Sequence, residues 1–151
     1  MKFQKRLWKK VRYYKGMASE SEEKAGGKGN ILLVDDDKFL LDMYAMKFTQ
    51  AGYTVHPSLS SSEALKALRE GFNADVIVFD LIMPEGDGFY LVETIQNEHL
   101  GKDAKLIALT NEMNDEEQKR IMDLGASKYI VKATLIPSEV VNSVIEEMQK
   151  K

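Results

Sequence analysis

Cysteine is absent from all 151 residues, which excludes a disulfide framework and any thiolate metal centre. Histidine is scarce: His56 and His99 stand far apart, too few and too separated for a histidine zinc cluster, and both read as surface or strand-end residues. No window approaches the ~18 apolar residues that a membrane-spanning helix needs. The N-terminus is basic, but no apolar core follows it, so it does not read as a secretory signal. The expected location is therefore cytoplasmic. Bases are also short over most of the chain. Of the 21 Lys and Arg, seven lie in residues 1–15, where there is no acid; the remaining 14 face 24 Asp and Glu, so the body carries about −10. An acidic body argues against nucleic-acid binding by that body.

Two stretches precede the regular part. In residues 1–15, Phe3, Leu7, Trp8, Val11 and Tyr14 recur at intervals suited to one apolar stripe on a helix, with Lys and Arg around it. Such a basic amphipathic segment can rest on an acidic membrane surface or on a partner. The plainer reading is a leader that is weakly helical in isolation, and Met17 is an alternative start. Residues 16–29 have linker composition. Gly26-Gly27-Lys28-Gly29 lacks the spacing of a phosphate loop and precedes the first strand instead of following it, so no nucleotide site is expected there.

From Asn30 onward the pattern alternates. Apolar runs at Ile31–Val34, Val76–Phe79 and Leu106–Leu109 lack polar alternation, as in strands buried on both faces. Tyr53–Val55 is shorter and more polar, suited to a sheet edge, and Tyr129–Val131 is the fifth run. Between them lie helical patterns. The first carries Leu40, Tyr44, Phe48 and Ala51 after an Asp37 cap. The second opens on a Ser60/Glu63 capping pattern, the third carries Leu91, Val92 and Ile95, and the fourth opens on Asn114/Glu117. Pro137 opens the last, with Val140, Val141, Val144, Ile145 and Met148. Gly52, Gly71 and Gly125 fall at helix stops. Five strands alternating with five helices imply an α/β fold with a parallel sheet and right-handed crossovers.

The residues after the strands carry the chemistry. Strand one ends in Asp35 and Asp36, strand three in Asp80, strand four in Thr110 and strand five in Lys132. Parallel strands share one carboxyl edge, where open α/β sheets bind ligands. One such Asp alone is commonly a turn former; five complementary groups at four strand ends are a constellation. Crowded carboxylates raise one another's pKa, and Mg²⁺, which takes oxygen ligands, relieves that strain. With an ammonium and a hydroxyl added, the set suits a phosphoryl group held on Asp80, a carboxylate acting as nucleophile.

At Val34-Asp35-Asp36, Asp80-Leu81-Ile82-Met83-Pro84 with Asp87-Gly88, Leu109-Thr110 and Tyr129-Ile130-Val131-Lys132, the chain resembles the receiver domain of two-component response regulators, over about residues 30–150. The resemblance implies a flavodoxin-like, doubly wound five-stranded parallel sheet of order 2-1-3-4-5. It implies that Asp80 accepts a phosphoryl group from the phosphohistidine of a sensor histidine kinase or a histidine phosphotransfer protein. Asp36 resembles the direct Mg²⁺ ligand, Asp35 the acid holding a metal-bound water, and Ile82 the residue whose backbone carbonyl gives the metal a third protein oxygen. Thr110 and Lys132 resemble the hydroxyl and amine that engage the phosphoryl group. Tyr129 resembles the aromatic that turns inward when Thr110 moves, reshaping a protein-binding surface. Such a receiver phosphorylates itself and slowly dephosphorylates, without turning over a substrate as an enzyme does.

Three positions depart from the family. Ala133 replaces the proline that usually follows the lysine in a cis bond; a non-proline cis bond costs about 2.5–4 kcal/mol, so the sequence leaves open whether this bond is cis or trans, and with it the aim of Lys132. Thr134–Pro137 looks slightly long, and Asn111 replaces a small residue beside Thr110. Two other readings compete. An aspartyl phosphohydrolase needs a second Asp two positions after its nucleophile, and here that position is Ile82. A docking-only pseudo-receiver would have lost an acid, the Thr or the Lys, and all are present. No DNA-reading or enzymatic unit follows residue 150, so the expectation is a stand-alone, chemotaxis-type receiver acting on an unidentified downstream protein, with a weak membrane or partner contact through residues 1–15.

Overall fold

The computed structural model describes residues 27–150. The amphipathic segment and most of the linker expected from the sequence lie outside the described residues. The chain forms β1 (Asn30–Val34), α1 (Lys38–Gln50), β2 (Thr54–Ser58), α2 (Ser61–Arg69), β3 (Val76–Asp80), α3 (Gly88–Asn97), β4 (Lys105–Thr110), α4 (Asp115–Asp123) and β5 (Lys128–Val131). A 3₁₀ turn (Lys132–Thr134) and α5 (Pro137–Gln149) follow. All strands are parallel, in the order β2-β1-β3-β4-β5, as the resemblance implied. No helix among the described residues is long and apolar enough to cross a membrane.

The central strands β1, β3 and β4 are largely apolar because each serves two cores. Side chains alternate across a sheet, so Leu32, Val34, Ile77, Phe79 and Ala108 face one layer. There they meet Leu65 of α2, Leu91, Val92 and Ile95 of α3 and Ile121 of α4. Ile31, Leu33, Val76, Val78, Ile107 and Leu109 face the other, against α1 and Val140, Val141 and Val144 of α5.

Local chemistry sets the helix ends. Asp37, Ser60, Asp87 and Asn114 each accept a hydrogen bond from a backbone N–H in the first turn of α1, α2, α3 and α4. In α2 the Glu63 carboxylate accepts from Leu59 N at 2.6 Å, one residue ahead of the cap. Gly52, Gly71 and Gly125 all adopt φ of 100–112°, the left-handed stop expected of them.

Three expectations are corrected. The buried stripe of α1 is Leu41, Tyr44, Ala45 and Phe48, while Leu40 and Ala51 are only partly buried. The i, i+3, i+4, i+7 spacing from Leu41 fits a helix packed on a sheet on one side and α5 on the other. Strand β2 runs Thr54–Ser58, further than Tyr53–Val55, and is buried along its length although it is an edge strand. Helices α1 and α2 pack on it, and Pro57 fits because an edge strand tolerates a missing donor. His56 is therefore not a surface residue: it is 2% exposed, its ring 5.2 Å from that of Phe72. His99 is exposed.

Candidate functional site

The strand register builds the site. Val34 pairs with Phe79 and Asp80 with Leu109, so Asp35 and Asp80, each the next step along β1 and β3, come abreast at the carboxyl edge. Thr110 pairs with Val131, which puts Lys132 one residue beyond Thr110 at the same edge. All five constellation residues thus share one rim.

Asp35, Asp80, Thr110 and Lys132 are buried, and Asp36 is exposed. One oxygen from each of Asp35, Asp36 and Asp80 lies within 4.8 Å of the others. The Lys132 ammonium bridges two of these carboxylates, donating to Asp35 Oδ2 at 2.8 Å and Asp80 Oδ2 at 3.1 Å. The other oxygens are held by backbone: Asp35 Oδ1 accepts from Asp37 N at 2.9 Å, and Asp80 Oδ1 from Ile82 N at 3.2 Å. Each buried carboxylate is therefore fixed in rotation by a neighbouring amide.

Burial is the largest influence on the Asp80 carboxyl and pushes it upward. The Lys132 ammonium opposes this and the Asp35 charge adds to it, leaving a net rise. Burial alone would lower the Lys132 ammonium, but the hydrogen bond and charge of Asp35 and the charge of Asp80 outweigh it, so Lys132 is raised. Three carboxylates against one ammonium leave two negative charges uncompensated. A divalent cation matches that deficit, and all-oxygen donors are what a hard cation such as Mg²⁺ takes.

Thr110 and Tyr129 meet at the loop that follows β4. Thr110 Oγ1 donates to Glu112 O at 3.1 Å. Half-buried Tyr129 donates its hydroxyl to the same carbonyl at 3.3 Å and accepts from Asn114 N at 3.2 Å. The two hydroxyls therefore converge on one backbone acceptor in the β4–α4 loop. The Lys132–Ala133 bond is trans, there being no cis bond among the described residues. The trans bond does not turn Lys132 away, because the 3₁₀ turn beginning at Lys132 carries the side chain onto both carboxylates.

Two residues of the site received no role of their own from the linear pattern, although Gly88 belongs to the Asp87-Gly88 pair that carries the resemblance. Tyr44 read as a core-stripe residue; it is buried, which raises its phenol, and it lies close enough to Lys132, Asp35 and Asp80 to feel their charges. Gly88, at the start of α3, donates to Leu81 O at 2.9 Å. A Cβ there would stand 2.8 Å from Asp80 O, 2.9 Å from the Phe79 ring and 3.0 Å from Leu81 Cα. Only glycine lets α3 start so near the Asp80 backbone.

Known proteins resemble this chain in sequence and fold. Residues 31–144 match the response regulator receiver domain family. The response regulator SaeR of Staphylococcus epidermidis is 32% identical over 124 residues, 80% of this chain and 52% of SaeR. The chain thus spans about half the length of the curated relatives it matches. The non-phosphorylated HemR receiver domain from Leptospira biflexa superposes with a TM-score of 0.73 at 31% identity, covering 82% of this chain and 97% of that one. A CheY-like receiver domain protein from Methanospirillum hungatei gives 0.71 at 26% identity, covering 80% and 93%. With its five parallel strands in the order 2-1-3-4-5 and its acid-rich carboxyl edge, this chain belongs to the response regulator receiver domain family of two-component phosphorelay signalling.

Proposed function

We propose that residues 30–150 form a receiver unit in which Asp80 takes the phosphoryl group from a phosphohistidine of a histidine kinase or a histidine phosphotransfer protein. A carboxylate oxygen of Asp80 forms the new P–O bond. The P–N bond breaks, and its electron pair leaves with the donor imidazole. The observation that carries this reading is the buried Lys132 ammonium shared by Asp35 and Asp80, with Asp36 beside them.

Asp35, Asp36, Asp80 and the Ile82 carbonyl would hold Mg²⁺, which supplies charge neutralisation for the phosphoryl oxygens. The protein's own groups do the rest. Ile82 N fixes the Asp80 carboxylate in rotation. Lys132 follows the charge from carboxylate to phosphoryl oxygen, since phosphorylation brings about −1.5 to −2 charge and new acceptor oxygens. Thr110 turns its hydroxyl from Glu112 O to that group. Tyr129, which shares the Glu112 acceptor, then loses its present arrangement and turns inward, so the surface around α4, β5 and α5 changes shape. The protein is bistable and the phosphoryl group biases it. The acyl phosphate then hydrolyses slowly, and the altered surface binds a downstream protein, with no DNA contact by this unit.

The test is labelling by a small radioactive phosphodonor with Mg²⁺. Intact chain labels once per molecule, the label is lost in alkali, and Asp80→Asn abolishes it. Labelling unchanged by Asp80→Asn refutes the assignment, and absence of label on the intact chain with Mg²⁺ leaves a docking-only module. Continuous release of product from a phosphomonoester would mean a hydrolase instead.

A further inference from the structure

Among the described residues, exposed large apolar side chains gather mainly at one edge, Met46 and Met122 lying away from it. Phe39 is 73% exposed, Ile82 58%, Met113 61% and Ile136 61%, and Leu59 and Tyr90 are also open to solvent. Each lies in a loop or first helical turn just after a strand, at the carboxyl edge. Exposed apolar side chains gathered on one side mark an interaction surface. The same edge is strongly acidic, with Asp36, Asp37, Glu85, Asp87, Glu112 and the Asp115-Glu116-Glu117 run. Its bases are already engaged: Lys132 with Asp35 and Asp80, and Lys38 with Asp42 at 2.7 Å. The surface therefore suits a ligand that is both cationic and amphipathic.

The chain carries such a ligand. Residues 1–15 hold seven Lys or Arg and no acid, with Phe3, Leu7, Trp8, Val11 and Tyr14 at helical spacing. We infer that residues 1–15 dock on the acidic, apolar carboxyl edge of their own receiver unit, beside Asp80. Reach is sufficient. The chain enters the sheet at its amino edge, where Lys28 N donates to Gly52 O at 2.9 Å. Five residues of β1 span about 16 Å at ~3.3 Å each, whereas the eleven residues 16–26 can extend to about 36–40 Å. A helical segment of that length would span about 22 Å. The β1-to-β5 width is about 14 Å at ~4.8 Å per strand, so the segment covers the distance from Phe39 to Ile136. Covalent tethering raises its local concentration over any free competitor.

Trp8 is the sole tryptophan and reports the contact directly, without reference to phosphorylation. In the full chain, docking predicts blue-shifted Trp8 emission and a severalfold lower acrylamide quenching constant than in the free 1–15 peptide, independent of protein concentration. Phe39→Ser with Ile136→Ser, both exposed and so tolerated by the fold, restores the quenching of the free peptide. So does charge reversal at Lys5, Arg6, Lys9 and Lys10. Three results overturn the inference: Trp8 as accessible as in the peptide, protection that survives the Phe39/Ile136 changes, or protection that vanishes on dilution and so arises between copies. Protection that appears only on adding anionic phosphatidylserine vesicles assigns the segment to a membrane surface instead. Failure of the Asp80 labelling test leaves this readout untouched.

Discussion

Replacing Lys132 by Met isolates what the buried ammonium does. Methionine keeps most of the side-chain volume, so the cavity cost is small. The electrostatic cost is large, because Asp35 and Asp80 are both buried and Lys132 is the cation that bridges them, at 2.8 and 3.1 Å. Breaking a buried pair typically costs about 3–5 kcal/mol. The fold has one escape, which is to protonate a carboxylate. Asp80 is the one to do so, since burial already pushes its carboxyl up and Lys132 is what opposes that push. Protonating an aspartate of ordinary pKa near 3.9 at pH 7 costs about 4 kcal/mol, at 1.36 kcal/mol per unit, which caps the loss. A group whose folded pKa is raised binds more protons folded than unfolded, so stability falls as pH rises. The deficit against the parent protein is therefore about 3–4 kcal/mol at pH 7 and shrinks by about 2–3 kcal/mol on going to pH 5. Urea denaturation followed by circular dichroism, with chelator present, measures both values. A deficit under about 1 kcal/mol, or one equal at the two pH values, would refute the view that this ammonium neutralises the pair.

Other outcomes follow from the same geometry. Gly88→Ala should lose about 1–3 kcal/mol of stability, because the new Cβ meets the Asp80 carbonyl and the Phe79 ring. Helix propensity alone would predict a gain of about 1 kcal/mol, so a thermal melt decides the sign. Asp36→Ala should weaken Mg²⁺ binding by about tenfold or more in calorimetric titration while leaving the fold intact, since Asp36 is exposed. The Lys132 contribution is fully present below its unfolded value of 10.5 and disappears as pH rises past its raised folded value, so stability should fall in that alkaline window and Lys132→Met should flatten the fall. Ser60→Ala removes the acceptor for Glu63 N and should cost about 1 kcal/mol by chemical denaturation.

The linear pattern contained the five-and-five alternation, the capping residues and the polar groups closing strands one, three, four and five. These are legible because they depend on local periods and on side chains meeting backbone within a turn. Strand order came from the family resemblance and not from periodicity, since alternation alone leaves the neighbours of β1 open. The tertiary structure decided what depends on packing from elsewhere in the chain. Leu41 and not Leu40 faces inward because α5 shares the α1 side of the sheet. His56 is buried because α1 and α2 cover an edge strand whose polar residues read as exposed. Lys132 reaches both carboxylates across a trans bond, and Thr110 and Tyr129 share the Glu112 carbonyl, through loop conformations that no local spacing encodes. A sequence names the groups that reach the rim; which of them touch is set by register and by the helices that hold the strands.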